Sequence, residues 1–252
     1  MFLVNGYRTA VFNIFNFTSK FHKLTPITFF VFGGIGSLFL EFHNVAKLFY
    51  YNLKGKVSDL TEYGLNPSVI TDEQAKLTPI ILIHGLRHGH GVWIELAKTF
   101  QRNEIKNPVF TVNLGDDPSK SISDTLAKVR TIYQKVGNNH IKVDLLGYSA
   151  GAKRALEFLA ENYEDVRDII MLGSRAPLKK IDAMRRMFLI SGELDFIAPI
   201  EVGIVSSNVN TGHFGLPFSE QTHDLVASLL NKTTSEKFFE SIYYSSDDAF
   251  YE

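Results

Sequence analysis

The pattern of apolar and polar positions divides the chain in two. From Pro79 onward it is regular. Ile80-Ile81-Leu82-Ile83 is a continuous branched-aliphatic run, as in a strand buried on both faces. Further strands are predicted over 109–114, 141–146, 166–172 and 187–191, with a short one near 205–209. Helical periodicity fills the gaps over 92–102, 121–136, 150–163 and 220–230. For the second of these helices, Ser121 is read as the N-cap, with Asp124 three residues on. Alternating strands and helices predict an α/β fold: a mostly parallel sheet with helices on both faces.

The first fifth of the chain differs. Leu24 to Leu40 carries no charge and contains Phe29, Phe30, Phe32, Leu38 and Phe39. As a helix it would measure about 25 Å, the lower limit for spanning a bilayer. From Phe39 to Leu53, apolar residues recur at helical spacing (Phe39, Phe42, Val45, Ala46, Phe49, Tyr50, Leu53). Two readings are open: a membrane surface contacted through residues 20–55, or a helical extension packed on the domain that follows. A cleavable signal peptide fits poorly, because the basic stretch before the apolar run is long and no small-x-small site follows it. Membrane-associated and cytoplasmic locations both remain open. Residues 55–76 are polar and turn-rich and read as a connector. The expected organisation is an extension over 1–56, a main domain over 57–231 and an acidic tail over 232–252.

Composition sharpens that division. The net charge of −1 argues against nucleic acid as the main partner. It is nevertheless a cancellation. Residues 1–56 hold Arg8, Lys20, Lys23, Lys47, Lys54 and Lys56 against Glu41 alone, so the remainder is acidic. The absence of Cys removes disulfides, thiolate metal sites and a thiol nucleophile.

The candidate chemistry starts at Gly147-Tyr148-Ser149-Ala150-Gly151. Gly-x-Ser-x-Gly alone is a weak signal. Here it follows an apolar strand and opens a helix, the context of a nucleophile elbow. Such a turn lifts the serine hydroxyl above the sheet edge, at a helix N-terminus that favours developing negative charge. A serine needs a base, and the base an orienting acid. Asp195, after a late strand, is the leading acid, with Glu193 and Asp182 as competitors. His213, in the loop Gly212-His213-Phe214-Gly215-Leu216, is the leading base. His223 lies inside the closing helix and reads as a surface or groove residue. The oxyanion donors expected are the amides of Ala150 and Leu86, the latter in the loop after the first strand. His84, His88 and His90 share that loop. A metal set is set aside because no carboxylate lies near them in sequence, so no metal is expected. His84, Tyr148, Asp116 and Asp117 are further candidates for touching substrate.

With these motifs in this order, residues 77–231 resemble the α/β-hydrolases. They are most similar to the small lidless bacterial lipases and esterases, which carry a His-Gly oxyanion loop and a Gly-His-x-Gly-Leu loop before the last helix. Only Gly173 to Arg186 separates two strands where many hydrolases insert a cap, so no cap domain is expected. The resemblance implies hydrolysis of small-molecule or lipid acyl esters by Ser149, His213 and Asp195 through an acyl-enzyme, with no cofactor. Two alternatives stay open: an acyl thioesterase or amidase using the same residues, and a catalytically silent binding module. The pattern departs at Tyr148 and Ala150, where those lipases usually have His and Met, and in the Phe-rich extension.

Overall fold

The computed structural model describes residues 26–174, 186–195, 197–198 and 206–231, with residues 26–40, 186 and 206 described by their backbone. Residues 1–25, Asp182 and the tail over 232–252 lie outside the described residues.

Six parallel strands form one sheet: β1 (Ile80–Ile83), β2 (Val109–Thr111), β3 (Val143–Tyr148), β4 (Val166–Leu172), β5 (Arg186–Gly192) and β6 (Ser206–Val209). Their order is β2-β1-β3-β4-β5-β6. Parallel strands need crossovers, and helices supply most of them: α2 (Ile94–Arg102) between β1 and β2, α3 (Pro118–Gln134) between β2 and β3, and α4 (Ala150–Glu161) between β3 and β4. The last helix is α5 (Glu220–Asn231). Only residues 173–185 join β4 to β5, too few for a cap domain.

The strands alternate their side chains between two cores, as a pleat requires. Ile81, Ile83, Phe110, Leu145, Ile169 and Met171 meet Ile122, Leu126 and Val129 of α3 and Ala152, Ala155 and Phe158 of α4. Ile80, Leu82, Val109, Leu146, Ile170 and Ile190 meet Leu96 and Phe100 of α2 and Val226 and Leu229 of α5.

Several boundaries differ from the sequence expectation. The cap of α3 is Asp117, whose Oδ1 accepts the Lys120 amide at 3.0 Å, with Pro118 as the first helical residue. Pro118 has no N–H to lose there, and its fixed φ already suits a helix. Ser121 instead donates to the Asp117 carbonyl at 2.8 Å, inside the first turn. β3 runs two residues further than expected, so Gly147 and Tyr148 belong to the strand. The connector over 55–76 contains short 3-10 turns at Leu60–Tyr63 and Gln74–Lys76. Within it, Asn66 covers the open edge of β2: its amide donates to the Val109 carbonyl and its Oδ1 accepts the Thr111 amide, each at 2.8 Å. Both exposed edge groups thereby gain partners.

The apolar run and the periodic stretch after it form one continuous helix, α1 (Pro26–Val57). From Glu41 on, α1 lies against the 3-10 turns His90–Trp93 and His213–Phe218. It does so with an unexpected face. Asn44 and Leu48 are buried, whereas Phe42, Phe49 and Leu53 are each more than 60% exposed. Of the apolar stripe read from the sequence, Phe42, Phe49, Tyr50 and Leu53 point away from the domain.

Candidate active site

Ser149 lies between the end of β3 and the first residue of α4, with φ 53° and ψ −121°. A positive φ is costly for a residue with a Cβ, and the surroundings must hold it. Part of the restraint is the Ser149 amide, which donates to the Leu172 carbonyl of β4 at 2.8 Å. The flanking glycines make the turn sterically feasible. A Cβ on Gly147 would strike the Ala152 backbone, and one on Gly151 would strike the Ile83 carbonyl.

His213 opens the turn His213–Phe218 after β6 and is 4% exposed. Its Nε2 lies 2.9 Å from Ser149 Oγ and its Nδ1 lies 2.8 Å from Asp195 Oδ2. Asp195 follows β5. Its second oxygen accepts the amides of Ile197 at 2.9 Å and Ala198 at 2.8 Å. Burial alone would raise the Asp195 pKa. The hydrogen bond from His213 and these two amides outweigh burial and hold the carboxyl below the usual range. With Asp195 ionised, the Nδ1 proton of His213 faces a carboxylate and Nε2 is left to accept from the serine hydroxyl. Such an arrangement activates a serine oxygen and can return the proton later.

A strained serine at a strand–helix turn, above a parallel sheet ordered β2-β1-β3-β4-β5-β6, decides the architecture. The fold is that of the α/β-hydrolases. No family model and no curated protein matches the chain. Solved structures do. A CIB-like hydrolase from Thermoplasma acidophilum has a TM-score of 0.45 and 18% identity, over 61% of this chain and 86% of that one. The carboxylesterase CesB from Bacillus subtilis has a TM-score of 0.43 and 14% identity, over 62% and 84%. A Bacillus cereus carboxylesterase has a TM-score of 0.47 and 13% identity, over 64% and 90%.

Other residues of this hydrolase fold take up specific places. In the loop after β1, the His88 amide donates to the Gly85 carbonyl at 3.2 Å, closing a turn with Arg87 at φ 59°. Leu86 sits at the tip, 73% exposed. The amides of Leu86 and Ala150 have no backbone partner among the described residues. His84 is buried. Its Nδ1 lies 2.9 Å from the Gly85 carbonyl and its Nε2 accepts the Leu114 amide at 3.4 Å. It therefore ties the loops after β1 and β2 together. Tyr148 is fully buried; its hydroxyl donates to the His213 carbonyl at 3.2 Å and its ring stacks on His88. Burial, with the charges of Glu41 and Asp195, keeps the Tyr148 phenol protonated well above its ordinary range. Asp116 and Asp117 are exposed, and Asp117 is engaged as the cap of α3.

His88 and His90 do not converge on a metal site. The His90 Nδ1 lies 2.8 Å from Thr111 Oγ1, and no group of three or more ligating side chains forms among the described residues. Burial, then the neighbouring His84 and His213, push the His88 pKa down to about 4. His223 is not at the surface. Its Nε2 lies 2.9 Å from the Pro217 carbonyl and its Nδ1 lies 3.2 Å from Thr99 Oγ1, which joins α5 to α2. Glu193 is exposed. An open depression of about 390 Å³ between β2 and α3 is lined by Asn66, His90, Thr111, Asn113, Asp124 and Lys128. Ser149, Asp195 and His213 do not line it.

Sequence reasoning missed the residues of α1 that reach this site. Glu41 Oε2 accepts the Phe214 amide at 3.1 Å. Asn52 Oδ1 accepts the Gly89 amide at 2.9 Å. The only sequence signal was their common spacing on one helical face, and the apolar residues between them hid it.

Proposed function

We propose that the chain is a serine hydrolase that cleaves carboxylic esters, with Ser149 as nucleophile, His213 as general base and acid, and Asp195 orienting the imidazole. The observation that carries this reading is the continuous hydrogen-bonded chain from Ser149 Oγ through His213 to Asp195, set on a strained elbow. Ser149 Oγ attacks the ester carbonyl carbon while its proton passes to His213 Nε2. The tetrahedral oxyanion takes hydrogen bonds from the amides of Leu86 and Ala150. Collapse breaks the carbon–oxygen bond, and His213 gives its proton to the departing alkoxide. Water then attacks the acyl-enzyme and gives a proton to His213; collapse breaks the bond from the acyl carbon to Ser149 Oγ, His213 returns the proton to Oγ, and the acid is released. The sequence needs no cofactor. Each oxyanion donor of this kind is worth roughly 3 kcal/mol.

The test is labelling with a fluorophosphonate probe and turnover of p-nitrophenyl butyrate. Ser149→Ala should abolish labelling and lower kcat by about 10⁴-fold or more. Unchanged labelling would remove Ser149 from its role. Turnover of an acyl thioester measured beside the oxygen ester separates an esterase from a thioesterase.

The outer face of α1 supports a lipid surface as a second partner. Phe42, Phe49, Leu53 and Val57 are all exposed along it. Among the described residues no helix is long and apolar enough to cross a membrane, so the proposed contact lies along the surface. Flotation of the full chain with anionic vesicles should fall when Phe49 and Leu53 are both replaced by Ser. Equal flotation of both proteins sinks this contact.

A further inference from the structure

The part of α1 that touches the domain lies chiefly against two loops, the turn after β1 and the turn that carries His213, with further contacts from Tyr51 to Glu95 of α2 and from Lys54 to the Tyr63 ring. The far end of the His213 loop is held by the core, with Leu216 and Pro217 buried and the Pro217 carbonyl 2.9 Å from His223 Nε2. The loop's entry is Gly212 and its interior holds Gly215. Two hydrogen bonds fix the backbone on either side of the imidazole. Tyr148 donates to the carbonyl of His213, and Glu41 accepts the amide of Phe214, the next residue along. The two bonds hold opposite sides of the peptide unit that joins His213 to Phe214, so together they set its plane. That plane in turn sets where the His213 side chain leaves the backbone.

The Glu41 contact is tightly built. Its carboxylate presses on the Cα of Gly212 so closely that a Cβ there would collide with it. Asn44, one turn along α1 and 5% exposed, donates from Nδ2 to Glu41 Oε1 at 3.3 Å and packs on Gly215. Glu41 is thus oriented by its own helix and engaged by the loop. The rest of the face fixes the helix in register. Gly91 meets the Tyr51 carbonyl and the Gly55 amide so closely that neither glycine accommodates a Cβ. The Tyr51 ring stacks on Phe218 at 5.5 Å, at the far end of the His213 turn.

We infer that Glu41 is a positioning residue for the active site. Its carboxylate holds the Phe214 amide, and so keeps His213 Nε2 in line with Ser149 and Nδ1 in line with Asp195. This rests on the reading of His213 as the base, and it makes the N-terminal helix part of the catalytic apparatus. Misplacing a base by about 1 Å costs on the order of 10²-fold in rate. What Glu41 supplies is an acceptor oxygen, and Gln also has one.

The test compares Glu41→Ala and Glu41→Gln in the full chain. Glu41→Ala should lower kcat on p-nitrophenyl butyrate by about tenfold to a hundredfold, with KM within about twofold of the parent. Glu41→Gln should restore most of the loss. A second readout is independent of turnover. The proton between His213 Nδ1 and Asp195 should give a downfield proton resonance in the parent and in Glu41→Gln, and should broaden in Glu41→Ala. If Glu41→Ala fails to fold, Glu41→Gln decides by itself: parent-like kcat and resonance support the proposal, and loss of either overturns it. Parent-like kcat in Glu41→Ala overturns it, as does a kcat loss with the resonance unchanged, or a failure of Gln to rescue. If the parent turns over no ester yet the resonance follows this pattern, esterase activity is refuted and the positioning role of Glu41 stands.

Discussion

Two sets of helices meet the rest of the domain in opposite ways. On one side α3 and α4 lay down aliphatic and aromatic side chains, and their polar residues face solvent. The opposite face is closed by apolar residues of α2 and α5, and outside them, next to the reacting groups, α1 docks on two turns through Glu41, Asn44, Tyr51, Asn52 and Gly55, with Leu48 as its main apolar contribution. A helix that buries apolar area stabilises the fold, at roughly 25 cal/mol per Å². One that docks through directional hydrogen bonds gains little net stability, because water offered those groups partners before docking. It gains geometry instead. The α3–α4 layer is therefore expected to carry stability, and the α1 contact the precision proposed for the site.

The largest expected effect is on the apolar side. Phe158 of α4 is 2% exposed in the core between α4 and the sheet. Phe158→Ala removes that ring and leaves a cavity, with an expected loss of roughly 3–5 kcal/mol in urea unfolding. The kcat of the molecules that remain folded should be near the parent's. A large kcat loss with little loss of stability would invert the comparison, since α4 would then be acting as α1 is argued to act.

A smaller effect separates the sides by pH. Three imidazoles partly or wholly shielded from water lie outside the α3–α4 core: half-buried His88 against Tyr148, half-buried His90 in the turn beneath α1, and buried His223 between α2 and α5. Burial lowers the pKa of all three, that of His88 to about 4. A lowered folded-state pKa means that the unfolded chain binds more protons between about pH 4 and the ordinary imidazole value near 6.5. Stability then rises with pH through that window and levels off above it. Melting temperature should fall by a few degrees between pH 7.5 and pH 5, and hydrogen exchange should quicken first in α1 and the His90–Trp93 turn. Uniform acceleration across α3 and α4 would argue against a distinct titrating side.

The same contrast explains what the sequence revealed. β1, β3 and β4 were legible because strands buried on both faces carry aliphatic runs: Ile80 to Ile83, Leu145-Leu146 and Ile169 to Leu172. Ser149 was legible because its glycines must satisfy a steric condition that few other turns impose. The proximity of His213 and Asp195 followed from chain order once the elbow was placed. The docking of α1 was not legible. Periodicity methods assume that the apolar face is the buried one, and α1 buries the other. His223 was misjudged for a related reason: its position in an exposed-looking helix gave no sign that Thr99 and the Pro217 carbonyl would enclose it. Asp117 was read only as following β2, and its role as the cap of α3 was missed although the Pro after it marks it as one.

The smallest expected effect tests the assumption that periodicity makes. If the apolar stripe of α1 were its packing face, Phe49→Ser would cost several kcal/mol, as burial of a large side chain implies. In the structure Phe49 is 68% exposed and lies on the face turned away from both loops. A surface substitution of that kind stays within about 0.5 kcal/mol. Phe49→Ser should therefore leave urea unfolding and kcat on a soluble ester unchanged, while Glu41→Ala, two helical turns away on the inner face, lowers kcat. A destabilisation above about 2 kcal/mol for Phe49→Ser would mean that the stripe is covered by part of the chain itself. The polar face would then no longer be the one that anchors α1.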